Sequence, residues 1–183
     1  IPEEWLKKEF QRYLSDEDRK QVEALGGWDK LMETLKKRLV EQRDDLAACF
    51  DLQADDTLFW LTDLGWMMGP WLICGGLIVG AAIVIFEGTP DYPEPDRLWR
   101  LVEDHGVTVL GMAPTAIRSL MGKGTEWVRA RDRSSLRILG STGETWNPGP
   151  WRWYFEEVGE GRCPIINYSG GTETSGGIVG CTT

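Results

Sequence analysis

Apolar positions recur along this chain with two different periods, and the change from one to the other divides it. Over residues 1–45 the spacing is helical. Trp5, Leu6, Phe10, Tyr13 and Leu14 make one stripe, and Trp28, Leu31, Met32, Leu35, Leu39 and Val40 make another. Ser15 stands where a helix begins, with Asp18 at the reciprocal capping position. Gly26-Gly27 supplies a stop. The pattern predicts a small helical hairpin or trio. Its 22 charged residues read as solvated faces, and its amphipathic helices are candidates for pairing with a partner or a second copy of the chain.

Residues 46–183 alternate instead between short β-branched or aromatic runs and helical stretches. TLFWLTD (57–63), AAIVIFEG (81–88), VTVLGMAP (107–114), LRILGSTGE (136–144) and CPIINYSGG (163–171) read as strands, the last running into a Gly/Thr-rich loop. GWMMGPWLIC, DRLWRLVEDHG, PTAIRSLMGKG and PWRWYFEEVG read as the helices between them. Gly106 stops the second, and Pro114 opens the third. Strands alternating with helices predict an α/β fold: a parallel sheet with helices on both faces, preceded by the small helical segment. Two domains follow, 1–45 and 46–183.

One stretch competes with that reading. Leu64 to Phe86 is 23 residues without a charge, long enough to span a bilayer. Pro70 and Gly75-Gly76 interrupt it, and AAIVIF is β-branched like a core strand. The expectation is therefore a buried helix, a Gly-rich break and a buried strand, with no membrane span.

A net charge of −9 argues against non-specific nucleic-acid binding, which needs basic surface to displace counterions. It leaves nucleotides open, since backbone amides and one metal ion can hold phosphate. Cys49, Cys74, Cys163 and Cys181 make no C-x-x-C pair, and His105 is the only histidine, so a structural zinc site is not expected. Cys74 and Cys163 lie in apolar runs and read as reduced core residues, which points to the cytoplasm.

Ligands of parallel sheets bind at the carboxyl ends of the strands. Here those ends are STGET and YSGGTETSGG. Glycines let backbone N–H groups approach an anion closely, and Ser169, Thr172, Thr174 and Ser175 can donate to phosphate. Glu173 could hold Mg²⁺ beside a phosphate, since Mg²⁺ takes one or two carboxylates plus substrate oxygens.

WLTDLGWMMGPW, FEGTPDYPEPDRLWRLVEDHGVT, APTAIRSLM, DRSSLRILGSTGETWNPGPWRWY and NYSGGTETSGG resemble, in order and spacing, the acyl-CoA synthetases of the adenylate-forming superfamily, acetyl-CoA synthetase among them. The resemblance runs from about Asp51 to Thr183. It implies activation of a small carboxylate with ATP, giving an acyl-adenylate and pyrophosphate, then transfer to coenzyme A. It implies that Thr172 contacts the α-phosphate of the nucleotide (ATP/AMP) and that Glu173 binds Mg²⁺. Gly143, Glu144 and Thr145 would border the adenine, with Asn167, Tyr168 and Ser169 closing its other side. Thr145 replaces the proline usual there. Trp66, Met67 and Met68 would line the acyl pocket. Acetate-specific relatives wall that pocket with a tryptophan where this chain has Gly170, which predicts a substrate larger than acetate: propionate, a branched short acid or a keto acid.

The family's lysine-bearing phosphate loop has no counterpart here, and residues 1–45 stand in its place. LGGWDKLMETLKKRLVEQ faintly resembles a helical stretch of bacterial proteins with a von Willebrand-type domain, which favours a composite origin. The ribose-binding aspartate, the hinge and the C-terminal lysine are also lacking, so the chain alone is expected to be nearly inactive. The alternative is a non-catalytic α/β module that binds a ligand or a partner.

Overall fold

The computed structural model describes residues 8, 11, 12, 14–172 and 176–181. Trp5, Leu6, Phe10, Tyr13, Glu173, Thr174 and Ser175 lie outside the described residues, as do the side chains of Leu35 and Leu39. The chain divides into two compact units, residues 1–40 and 41–183.

In the first unit α1 (Asp16–Ala24) starts as its sequence predicts. The Asp18 amide donates to Ser15 Oγ at 3.2 Å, and the Ser15 amide donates to Asp18 Oδ2 at 3.0 Å. The helix therefore satisfies its orphan end groups locally. Gly26 and Gly27 both take positive φ where α2 (Gly27–Phe50) begins. Of the second apolar stripe, Met32 is buried and Trp28 and Leu31 half-buried, while Val40 is 47% exposed.

The second unit is a six-stranded sheet: β1 (Thr57–Leu61), β2 (Ala82–Val84), β3 (Val109–Met112), β4 (Ile138–Ser141), β5 (Ile165–Gly171) and β6 (Gly176–Gly180), in the order β2-β1-β3-β4-β5-β6. The first four pairings are parallel. The last is antiparallel: beyond the Gly/Thr-rich loop the chain forms a sixth strand that the sequence pattern does not predict. Residues 172–175 are too few for a parallel crossover, so the returning segment can only form a hairpin.

Side chains alternate between two cores, as the period of two requires. Phe59, Leu110, Met112 and Leu139 face one core. There they meet α5 (Arg97–His105), the helix α6 (Pro114–Lys123), the short α7 (Thr125–Arg129), and the turn Tyr154–Val158 that extends α8 (Pro148–Trp153). Leu58, Trp60, Val109, Ile138, Ile166 and Tyr168 face the other core, against Leu46 and Phe50 of α2 and against Met68, Trp71 and Leu72. Helices thus cover both faces.

The uncharged stretch forms α3 (Met68–Pro70), a wide π turn (Trp71–Gly75), α4 (Gly76–Val79) and then β2. The expected break at Gly75-Gly76 falls instead at Gly80, whose φ of +96° an L side chain rarely adopts. Gly76 serves packing: a Cβ there would sit 2.7 Å from Ile83 of the adjoining strand. No helix among the described residues is long and apolar enough to cross a membrane.

Two features hold the sheet. On one face the Trp60 indole lies across β3 and β4, where Cβ atoms on Gly111 and Gly140 would come within 2.1 and 2.7 Å of it. Phe50 and Trp71 then pack edge-on to Trp60, with ring centroids 5.5 and 5.0 Å away. At the amino ends of the strands, Asp56 is 5% exposed. It accepts from Thr108 Oγ1 at 2.7 Å, from the Gln53 amide at 2.7 Å, and from both Nε (2.8 Å) and Nη2 of Arg137. Burial pushes its carboxyl up, but the hydrogen bonds from Arg137, Thr108 and Gln53 outweigh burial and hold it below the usual range.

Gly111→Ala should lower stability by about 1–3 kcal/mol in urea unfolding, because the indole must move. Gly122→Ala, in α6 with nothing within 4 Å, should leave stability equal or raise it by about 0.5–1 kcal/mol. Asp56 has a lowered folded pKa, so its contribution is full above the unfolded value of about 3.9 and is lost as pH falls through the folded value. Asp56→Asn should cost about 3–5 kcal/mol near neutrality and flatten the acid limb of the stability profile below about pH 4.

Candidate functional site

The carboxyl ends of β1, β3, β4 and β5 are adjacent and point to one edge of the sheet. A cavity of about 340 Å³ opens there, lined by residues that include Leu61, Thr62, Ala113, Thr142, Gly143, Gly170, Gly171 and Thr172. One wall is apolar: Trp60, Trp66, Met67 and Met68. A second cavity of about 250 Å³ is lined by Thr142, Gly143, Glu144, Thr145, Asn167, Tyr168, Ser169 and Gly170. Thr142, Gly143 and Gly170 line both, so the two lobes meet at that waist.

The structure therefore brings together every described residue that the sequence singled out. Trp66, Met67, Met68, Gly170 and Thr172 line the apolar lobe; Gly143, Glu144, Thr145, Asn167, Tyr168, Ser169 and Gly170 line the polar one. Glu173, the expected metal ligand, lies outside the described residues. Among the described residues no group of three or more His, Cys, Asp or Glu could hold a metal ion; a magnesium site built on one carboxylate and substrate oxygens needs no such group. Sequence reasoning passed over Thr142, which lines both lobes and sits inside the STGET loop. It also passed over Trp60, whose place in a strand marked it as core.

Backbone geometry shapes the waist. Gly143 takes φ +100°, so the chain reverses there without strain, and a Cβ would meet only Ala113, at 3.9 Å. Glu144 is anchored to the start of α6: it accepts from the Thr115 amide at 3.0 Å and from Arg118 Nη2 at 2.5 Å. The hydrogen bonds from Thr115 and Arg118 hold its carboxyl below the usual range. That carboxylate is therefore committed, and the other side chains of the polar lobe are neutral. Across the apolar lobe the Met67 amide donates to Thr172 Oγ1 at 3.5 Å, joining the loop after β1 to the end of β5.

Tyr168 has a double place. It lines the polar lobe, yet it is only 2% exposed and its ring packs against Trp71 and Phe50 at centroid distances of 5.9 and 6.0 Å. Its hydroxyl donates to Asp45 Oδ2 at 2.6 Å. Burial, then the Asp45 carboxylate, push its ionisation well above the ordinary tyrosine range. Asn167 and Ser169, on either side of it in β5, point the other way and are exposed.

The AMP-binding enzyme family matches residues 34–183. The chain belongs to that family. It is 49% identical over 131 residues to the acetyl-coenzyme A synthetase of Rubrobacter xylanophilus, a match covering 71% of this chain and 20% of that protein. It is 48% identical over 132 residues to the acetyl-coenzyme A synthetase of Xanthomonas campestris, with the same coverage. The fold matches the acetoacetyl-CoA synthetase from Streptomyces lividans with a TM-score of 0.72 and 32% identity, over 79% of this chain and 22% of that one. The chain spans about a fifth of the length of these AMP-binding relatives.

Tyr168→Phe should keep the fold and cost about 1–3 kcal/mol in denaturant unfolding, because Asp45 loses its donor. A variant as stable as the parent would show that water replaces the hydroxyl.

Proposed function

We propose that this AMP-binding chain forms the acyl and adenine sites of an AMP-forming acyl-CoA synthetase whose acid is larger than acetate. The observation that carries the reading is the pair of lobes meeting at Thr142, Gly143 and Gly170. An acyl-adenylate has the same two-ended chemistry: an apolar acyl group and a neutral purine, joined through one phosphoryl group and a ribose. The acid would occupy the lobe of Trp66, Met67 and Met68. The base would lie between Gly143-Glu144-Thr145 and Asn167-Tyr168-Ser169. The α-phosphoryl group would sit at the waist, within reach of the Thr172 hydroxyl. Glu173 would hold Mg²⁺, which supplies charge to offset the phosphates.

In the reaction a carboxylate oxygen attacks the α-phosphorus and pyrophosphate leaves. The thiol of coenzyme A then attacks the acyl carbonyl and AMP leaves. The names of the relatives, acetyl- and acetoacetyl-CoA synthetases, support this class of chemistry. Gly170 supports the larger acid, because hydrogen there leaves the cavity's full volume open. Low activity of the chain by itself is part of the proposal, and the pairing of Lys123 with Asp91 at 2.8 Å supports it.

Titration calorimetry with AMP and a series of alkyl-AMP esters tests the reading. The chain should bind AMP, and Thr172→Val should weaken binding about tenfold, as loss of one hydrogen bond to a charged group does. Propyl and isobutyl esters should bind more tightly than ethyl, and Gly170→Trp should reverse that order by at least about tenfold. Absence of AMP binding would sink the function, and an ethyl preference in the parent chain would sink the substrate size.

A further inference from the structure

Two cysteines far apart in the sequence are brought near each other where the end of α2 meets the end of β6. Cys49 is in the last turn of α2, half-buried. Cys181 follows β6 and is exposed. Cys49 Sγ lies 2.9 Å from the point where a Cβ on Gly180 would stand, and Gly180 is bonded to Cys181. Only a glycine leaves room for that approach. The Cys181 sulfur, for its part, rests on the backbone of β5: the Asn167 amide donates to it at 3.1 Å, and the thiol faces the carbonyl oxygens of Asn167 and Ile165 at 3.7 and 3.9 Å.

We propose that Cys49 and Cys181 form a redox-sensitive thiol pair, closed to an intramolecular disulfide by exchange with a low-molecular-weight disulfide. Cys181 is the thiol that reacts first, because it is exposed. Its thiolate attacks one sulfur of the small disulfide and expels one small thiol. The Cys49 thiolate then displaces the second small thiol and closes the bond. Two protein thiols are oxidised, and one small disulfide is reduced to two thiols. Burial first, then the Asp45 carboxylate and the neighbouring Cys181, raise the Cys49 thiol. It is therefore the resolving partner and not the attacking one. A rotation about the Gly180–Cys181 link is the movement required, since disulfide geometry demands Cα atoms within about 7 Å. Cys163 is unsuited to exchange, being fully buried with its thiol on the Leu136 carbonyl oxygen at 3.2 Å.

The bond has a structural consequence. Drawing Cys181 toward α2 takes the sulfur away from the Asn167 amide and ties the end of α2 to the β5–β6 hairpin. Asn167 lines the polar lobe, so the effect on nucleotide binding rests on the function proposed above; the thiol chemistry itself does not.

The test uses the whole chain and oxidised glutathione as the probe, with free thiols blocked after quenching and peptides mapped by mass spectrometry. One crosslinked peptide pair joining Cys49 to Cys181, with no glutathione retained, is expected. Cys49→Ser should retain one glutathione on Cys181. Amide exchange at Asn167 should speed up on oxidation in the parent. Glutathione retained on Cys181 of the parent, or a crosslink from Cys181 to another chain or to Cys74, would overturn the pair. Unchanged Asn167 exchange would overturn its coupling to the lobe. Both measurements are made without nucleotide, so failure of AMP to bind would count against the proposed function alone.

Discussion

A single indole sets much of this structure. Trp60 lies flat against β3 and β4 only because residues 111 and 140 carry no side chain. From there the contacts spread outward: Phe50 and Trp71 edge-on to the indole, and Tyr168 tilted against both. Each such pair contributes about 0.5–1.5 kcal/mol beyond the area it buries. The cluster also fixes position. It joins the end of α2, the helix through Trp71, and strands β1 and β5, and Trp60 itself then becomes a wall of the apolar lobe. The same glycine floor that seats the core thus sets where the cavity can open.

The two ends of the sheet are built for different purposes. At the amino ends, the buried Asp56 carboxylate gathers Thr108, Gln53 and Arg137 into one polar clip that joins the approaches to β1, β3 and β4. Its charges are compensated on the spot, so it stabilises without offering a free group. At the carboxyl ends the backbone turns away through glycines and hydroxyl residues, and the carboxylate of Glu144 is drawn off toward Arg118 and the start of α6. What remains is a pair of lobes with an apolar and a neutral polar character, where strand ends of a parallel sheet present their loops. The cations one would consider for phosphate binding, Arg118, Arg137 and Lys123, are each held by a carboxylate.

The alternation of strand and helix was legible from the apolar pattern because it is a local property. Runs such as LFWL and AAIVIF are continuously apolar and rich in aromatic or β-branched residues, which reads as a core strand without knowledge of the neighbours. Caps were equally plain: Ser15 with Asp18, Pro114 and Gly106 act within one turn of themselves. The site was legible for a different reason. Most of its residues sit in two short loops rich in glycine and hydroxyls, and a resemblance to acyl-CoA synthetases gave each position an expected role. The helix through Pro70 was harder, because a wide turn carries the chain across residues that usually stop a helix, up to Gly80.

By itself, the sequence determined the alternation of the first five strands with helices and the glycine- and hydroxyl-rich loops at the strand ends, since these depend on residues close together in the chain. Only the tertiary structure decided the rest: that β6 returns antiparallel beside β5, that Tyr168 spends its hydroxyl on Asp45, that Glu144 is committed to Arg118, and that Cys49 meets Gly180 at the end of β6. Each is a pairing between groups distant in sequence. Their partners are chosen by sheet register and by the space that glycines leave, and neither is written in any local pattern.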